Sequence, residues 1–142
     1  MRALLDVNVL LALFDPEHLH HARALAWWSA SRAEGWASCP LTQNGFVRVI
    51  SGPRYIRPRS IADAMALLRA QMAQPGHIFW LDDVSIADAQ RFDHGRLLGP
   101  KQITDVYLLA LAVKNDGRLV TFDQSIPVRA VHRAGPRHLA VI

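Results

Sequence analysis

Three aspartates, Asp6, Asp105 and Asp123, occupy the kind of positions that a fold can gather into one site. Asp6 ends the apolar run Ala3-Leu4-Leu5. Asp105 falls in the first turn of a helix that Thr104 is expected to open as N-cap, because a Thr hydroxyl before an apolar run satisfies free amide donors. Asp123 follows Leu119-Val120-Thr121-Phe122, a β-branched and aromatic run expected to be a central strand. In an open parallel sheet the carboxyl ends of the strands line the ligand crevice, which would bring all three acids to one place. Carboxylates gathered there repel one another and stay partly protonated unless a cation relieves them. Oxygen ligands without Cys or His at metal-ligand spacing select a hard ion, Mg²⁺ or Mn²⁺, over zinc, and such ions keep waters that can attack phosphorus. Taken singly, each acid has a plainer role, at a helix N-terminus, in a cap or in a turn. Only their convergence points to a metal.

Other chemistry is poorly represented. There is no Walker loop, GxGxxG, GxSxG or Cys/His pair. His18, His20 and His21 crowd one helix start and read as surface or capping groups rather than a zinc set. The single Cys39 cannot form an intramolecular disulfide and reads as a small core residue, consistent with a reducing cytoplasm.

The elements that must hold the acids follow from pattern. Arg2 to Asp6 reads as a first strand and Val9 to Phe14 as a short helix or extended continuation, ended by Asp15-Pro16. A helix over His20 to Ala33 would carry Ala22, Leu25, Ala26 and Ser29 on one stripe and close at Gly35. Trp27 and Trp28 cannot share one face of it, so one is expected at the core and the other at its rim or in a partner contact. Trp36 to Cys39 reads as a strand and Leu41 to Ile50 as a helix opened by Pro40 or Thr42. Ser60 is expected to cap a helix over Ile61 to Met72 with Ile61, Met65, Leu68 and Met72 at core spacing. After Gln74-Pro75-Gly76 come a strand, His77 to Leu81, and a helix from Ser85 through about Phe92, signalled by Ser85 with Asp88 three residues on. Asp82, Asp83 and Asp88 read as capping or surface groups. Val106 to Val113 is apolar nearly all round, as a buried helix is, and Asn115-Asp116-Gly117 ends it, with Gly117 suited to a left-handed cap. His138 to Ile142 reads as the last strand, after a basic segment with Arg129, His132, Arg133, Arg137 and His138. Strands alternating with helices imply a parallel sheet covered on both faces.

At 142 residues one compact domain, 1–142, is expected, and about half of the chain is apolar. Nothing at the N-terminus resembles a signal sequence, and no run reaches the roughly 20 residues that cross a bilayer. A formal charge of +4 around an acidic site suits a polyanionic partner whose contact a cation mediates. The loop Ser51 to Arg59 interleaves Arg54, Arg57 and Arg59 with Tyr55 and Ile56. Arginine forks suit phosphates and an aromatic can stack on an unpaired base, so these three with Arg48 are the candidate RNA contacts; the plainer reading is a solvated connection.

Four separated segments, Leu4-Leu5-Asp6-Val7-Asn8, Pro40 to Arg48, Thr104 to Ala112 and Leu119 to Asp123, together resemble the PIN-domain ribonucleases, in particular the VapC-type toxins of toxin–antitoxin pairs. The resemblance covers essentially the whole chain. It implies an α/β/α sandwich on a parallel sheet of about five strands, a Mg²⁺ or Mn²⁺ site, hydrolysis of RNA, a small protein antitoxin and a homodimer. By the same resemblance Asp6, Asp105 and Asp123 hold the metal, while Asn8 and Thr121 orient them. Gln43 departs from the pattern, since relatives commonly carry Glu there; its neutral amide can ligate only weakly or through a water. Two rivals follow from the residues. One is a module that binds RNA or antitoxin without efficient cleavage. The other is a phosphatase or phospho-acceptor with Asp6 as nucleophile, disfavoured because Asp6-Val7-Asn8 lacks a second Asp and no Lys is placed to steady a phosphoryl group.

Overall fold

The computed structural model describes residues 1–142. Five short strands, β1 (Ala3–Leu5), β2 (Trp36–Ser38), β3 (His77–Phe79), β4 (Arg118–Thr121) and β5 (Leu139–Val141), form one sheet in the order β3-β2-β1-β4-β5. All four pairings are parallel. Parallel neighbours need crossovers, and helices α1 (Val7–Phe14), α2 (His21–Ser31), α3 (Pro40–Ile50), α4 (Ile61–Met72) and α5 (Ile103–Lys114) accompany them.

Alternation along each strand sorts the side chains into two cores. Leu4, Ala37 and Leu119 face a cluster built on α5, with Val106 and Leu108 to Ala112 buried in it. Ala3, Leu5, Trp36 and Val120 face the other way, onto Val9 to Leu11, Phe46, Ile50, Ala64 and Leu68 of α1, α3 and α4. The result is the expected three-layer α/β/α arrangement. The chain winds outward from β1 to β2 and β3 on one side, then returns to β4 and β5 on the other. The switch point therefore lies between β1 and β4, where Leu5 pairs with Val120 and the two carboxyl ends stand side by side.

Several local expectations give way to packing. The segment Ser85 to Phe92 is a string of turns, not a helix: Ser85 Oγ accepts from the Ala87 amide (3.3 Å) and Asp88 Oδ1 from the Gln90 amide (2.9 Å). Such local bonds compete with a helical ladder, and the same Ser and Asp signal serves either outcome. Thr104 is not a cap. A 3-10 turn over Pro100–Gln102 runs directly into α5, so Ile103 is its first residue, and Asp105 remains in the first turn. On α2 the expected stripe faces outward: Ala22, Leu25, Ala26 and Ser29 are exposed, Ala24 is buried, and Trp27 and Trp28 are both half-buried at the core rim. On α4 Leu68 and Ala64 are buried while Ile61 and Met65 are exposed, so the helix is rotated from the expected face. The left-handed residue after α5 is Asp116 (φ 51°) rather than Gly117. Gly117 is required for a different reason, since a Cβ there would lie 2.6 Å from Trp80 and 2.7 Å from the Arg2 carbonyl. Cys39 is fully buried, as expected of a core residue, and burial pushes its thiol up to about 11.

Candidate functional site

The first side chain of the site is fixed by the end of β1. Asp6 is the N-cap of α1, with Oδ1 accepting from the Val7 amide (2.7 Å) and Oδ2 from the Thr121 hydroxyl (2.7 Å). Thr121 closes β4 and is fully buried, so its hydroxyl must be satisfied inside the protein. It donates to Asp6 and accepts from Asn8 Nδ2 (3.2 Å) and from the Asp123 amide (3.1 Å). Asn8 Oδ1 in turn accepts from the Phe122 amide (3.4 Å). One hydroxyl thus ties the end of β1, the start of α1 and the end of β4 together.

Asp123 leaves β4 into a turn in which its Oδ1 accepts from both the amide (2.7 Å) and the hydroxyl (2.6 Å) of Ser125. Those two bonds hold its carboxyl below the usual range, assisted by a hydrogen bond from Asp105. Asp105 arrives from the other side, half-buried in the first turn of α5. Burial, the negative charges of Asp6 and Asp123, and its hydrogen bond to Asp123 push Asp105 up to about 6. Asp6 is also raised, chiefly by burial, against the opposing hydrogen bonds of Thr121 and Val7. The fold therefore brings Asp6, Asp105 and Asp123 within electrostatic reach of one another, with Asn8 and Thr121 beside them. The three carboxylates do not close around a single point at ligand distance. No arginine, lysine or histidine forms an ion pair with any of the three.

Gln43 makes no hydrogen bond to any of the three acids. Its amide nitrogen donates to Ser38 Oγ (2.9 Å) and reaches Met72 Sδ (3.5 Å), while Ser38 Oγ also contacts His77 Nε2 (2.8 Å). A neutral amide brings a donor as well as an acceptor, and here the donor is taken up by β2 and α4 rather than by the acids.

The arginine loop is also partly spoken for. Arg57 pairs with Glu17, and Arg59 lies 3.5 Å from Asp15, whose other oxygen accepts from Tyr55 (2.5 Å). Burial pushes Asp15 up, yet the bonds from Tyr55, the Glu17 amide and Arg59 outweigh it and carry its carboxyl below the usual range. Arg57, Arg59 and Tyr55 thus clamp the loop onto the connection after α1. Arg48 and Arg54 are exposed and have no carboxylate within ion-pair distance. Two neighbours of the acids escaped the sequence reading. Ser125 was signalled by the Asp-x-Ser turn pattern at Asp123. The packing of His20 (5.1 Å) and the Arg23 guanidinium (5.3 Å) on the Phe122 ring had no local signal, because a helix and a strand end far apart in sequence supply it.

Residues 3–131 match the model of the PIN domain family. Ribonuclease VapC44 of Mycobacterium tuberculosis (strain ATCC 25618 / H37Rv) is 58% identical over 142 residues, the whole of both chains. Ribonuclease VapC38 of the same strain is 46% identical over 132 residues, 92% of each chain. Among solved structures, a chain of VapBC2 from Rickettsia felis bound to a DNA fragment from their promoter superposes with a TM-score of 0.57 at 10% identity, covering 88% of this chain and 90% of that one, a likeness of fold. A switch-point site of three mutually repelling aspartates, on a sheet and sequence matched from end to end in this way, places the chain in the PIN-domain family, among its VapC proteins.

Proposed function

We propose that this protein is a metal-dependent endoribonuclease, the toxin of a toxin–antitoxin pair, hydrolysing RNA phosphodiester bonds. The observation that carries the reading is the uncompensated charge of the acid centre: Asp105 is pushed up to about 6 by burial and by Asp6 and Asp123. All-oxygen donors with unrelieved negative charge fit a hard divalent cation, which would relieve the repulsion on Asp105. Asp6, Asp105 and Asp123 would hold it. Mg²⁺ or Mn²⁺, when bound, supplies Lewis acidity toward water and toward the scissile phosphate, giving 5′-phosphate and 3′-hydroxyl ends.

The chain's own residues set the geometry. Val7 and Thr121 fix both oxygens of Asp6, and Asn8 fixes the Thr121 hydroxyl. Arg48 and Arg54 are free to meet the RNA backbone, so binding should weaken steeply with salt. The name ribonuclease borne by the 58% identical relative supports RNA as the substrate. The same reading gives the chain a protein antitoxin as partner and a homodimer as its assembly, working in the cytoplasm; no helix is long and apolar enough to cross a membrane.

Mapping the ends produced from total RNA with Mg²⁺, with Mn²⁺ and with EDTA tests the reading. The Asp6→Asn variant should lose cleavage by about a thousandfold while keeping its circular-dichroism spectrum, the scale of losing a preorganised charge at a reacting centre. Undiminished, EDTA-sensitive cleavage by that variant rules the assignment out.

A second reading rests on Gln43, which is neutral and bonded to Ser38 and Met72. On that reading the protein binds RNA or antitoxin and cuts poorly. Gln43→Glu discriminates: a large gain in cleavage means an enzyme weakened at this position, and no gain means that the position does not limit the chemistry.

A further inference from the structure

A second concentration of charge lies at the far end of α5 from the acids. Asp105 is in the first turn and Lys114 is the last residue, which puts them roughly 14 Å apart along the helix. There a cavity of about 550 Å³ is lined by the cations Arg91, Lys114, Arg133 and Arg137, with Asp88 and Asp116 also on its wall. Arg91 lies 3.6 Å from Asp88, and Lys114 is paired with Asp83 at 2.5 Å. Arg133 and Arg137 have no carboxylate within ion-pair distance. Arg133 is presented by a turn closed from the Ala134 amide to the Val131 carbonyl (3.2 Å), in the left-handed region (φ 68°) that a side-chain-bearing residue rarely adopts.

His138 also lines the cavity and is 4% exposed. Its Nδ1 accepts from the Gly135 amide at 3.0 Å. Its Nε2 lies 3.3 Å from Nε of Arg137, which can only donate. A neutral imidazole has one ring lone pair, so the Gly135 amide and the Arg137 Nε–H compete for it and one of them is left without an acceptor. With the lone pair assigned to the shorter contact, at Nδ1, the ring N–H at Nε2 and the Arg137 Nε–H are the donors left for an outside acceptor. A buried ring N–H and an unpaired guanidinium converging at one wall of a cavity describe the recognition of an oxyanion.

We propose that this cavity binds a phosphoryl group, carried by a nucleotide or by the 5′ end of an RNA, with Arg133, Arg137 and the His138 Nε2–H as its ligands. The volume lies in the range of small-molecule sites, and Val113 and Val131 give it an apolar wall against which a nucleoside can rest. The inference uses none of the three acids and stands or falls apart from the nuclease reading.

Calorimetry in EDTA tests it, with inorganic phosphate, AMP and adenosine as probes. Phosphate and AMP should bind saturably and adenosine should not. The double variant Arg133→Gln/Arg137→Gln, both exposed positions, should bind at least about tenfold more weakly, the cost of one charged partner. Arg69→Gln, on α4, should bind as the unaltered protein does. A short RNA with a 5′-phosphate against the same RNA with a 5′-hydroxyl separates the two sources: preference for the phosphorylated end favours RNA, and equal weak binding of both beside firm AMP binding favours a free nucleotide. Absence of phosphate and AMP binding, or full affinity in the double variant, overturns the proposal. So does nitrogen NMR showing the His138 hydrogen at Nδ1 both without phosphate and with it.

Discussion

Replacing Asp105 by Asn should make the metal-free protein more stable, although it removes a site residue. Asn is close to the shape of the protonated carboxyl and removes the charge that Asp6, Asp123 and burial oppose. The shift of Asp105 runs from an ordinary 3.8 to about 6. At about 1.4 kcal/mol per unit, the full effect would be about 3 kcal/mol. Asp105 is only half-buried, and solvent screening brings this to roughly 1–2 kcal/mol. For a chain of this size that corresponds to a rise in melting temperature of about 3–8 °C.

The pH dependence carries the sign. The folded state keeps the Asp105 proton up to about 6 while the unfolded chain releases it near 3.8. The stability that this proton supplies is complete below 3.8 and is lost as pH rises through about 6. The gap between Asp105→Asn and the unaltered protein should therefore be small near pH 4, widen between pH 4 and 6, and stay constant above. Thermal melts in EDTA across that range measure it. If the variant melts at or below the unaltered protein at pH 8, or if the gap does not change between pH 4 and 8, the three acids do not repel one another as described.

Thr121→Val should destabilise the fold by roughly 2–3 kcal/mol in urea titrations, because it strands the Asp6 carboxylate, the Asn8 amide and the Asp123 N–H together. RNA cleavage should fall by about 10–100-fold in the same variant, the usual cost of losing a group that orients a metal ligand. Gly45→Ala should cost about 1–3 kcal/mol despite the better helix propensity of Ala, since the added Cβ would lie 2.6 Å from Val7 Cγ2 where α3 crosses α1; a shift in the urea midpoint reads it.

The positions of the acids were legible because each is set by a local rule: an acid after an apolar strand, or in the first turn of an apolar helix. The helix faces were less so. On α2 the alanines at 22, 24 and 26 offer no contrast in size, so the exposed Leu25 drew the stripe toward itself, while His21, Ala24 and Trp28 turn inward. Side-chain pairing was not legible at all. Nothing near Arg57 or Arg59 announces Glu17 or Asp15, about 40 residues away, as partners. Without knowing them, an arginine that closes a loop looks the same as one that waits for phosphate. Gln43 shows the same limit: the family resemblance suggests a weak ligand there, and its partners Ser38 and Met72 belong to other elements.

Thr121 shows how the sheet converts such distant residues into a site. The β1–β4 register sets Leu5 beside Val120, so the next residues, Asp6 and Thr121, leave the sheet as neighbours though 115 positions apart. A hydroxyl has one hydrogen and two lone pairs, and here all three are used, by Asp6, Asn8 and the Asp123 amide. With its only hydrogen given to Asp6, Thr121 stabilises the charged form of that carboxylate, and burial is what works against it. Asp105 has no such donor, and burial together with the charges of Asp6 and Asp123 raises it. The three acids are thus unequal before any ion arrives: Asp6 is preset by the sheet, Asp123 by its own turn, and Asp105, in the first turn of α5, is the one whose charge burial and the other two acids oppose.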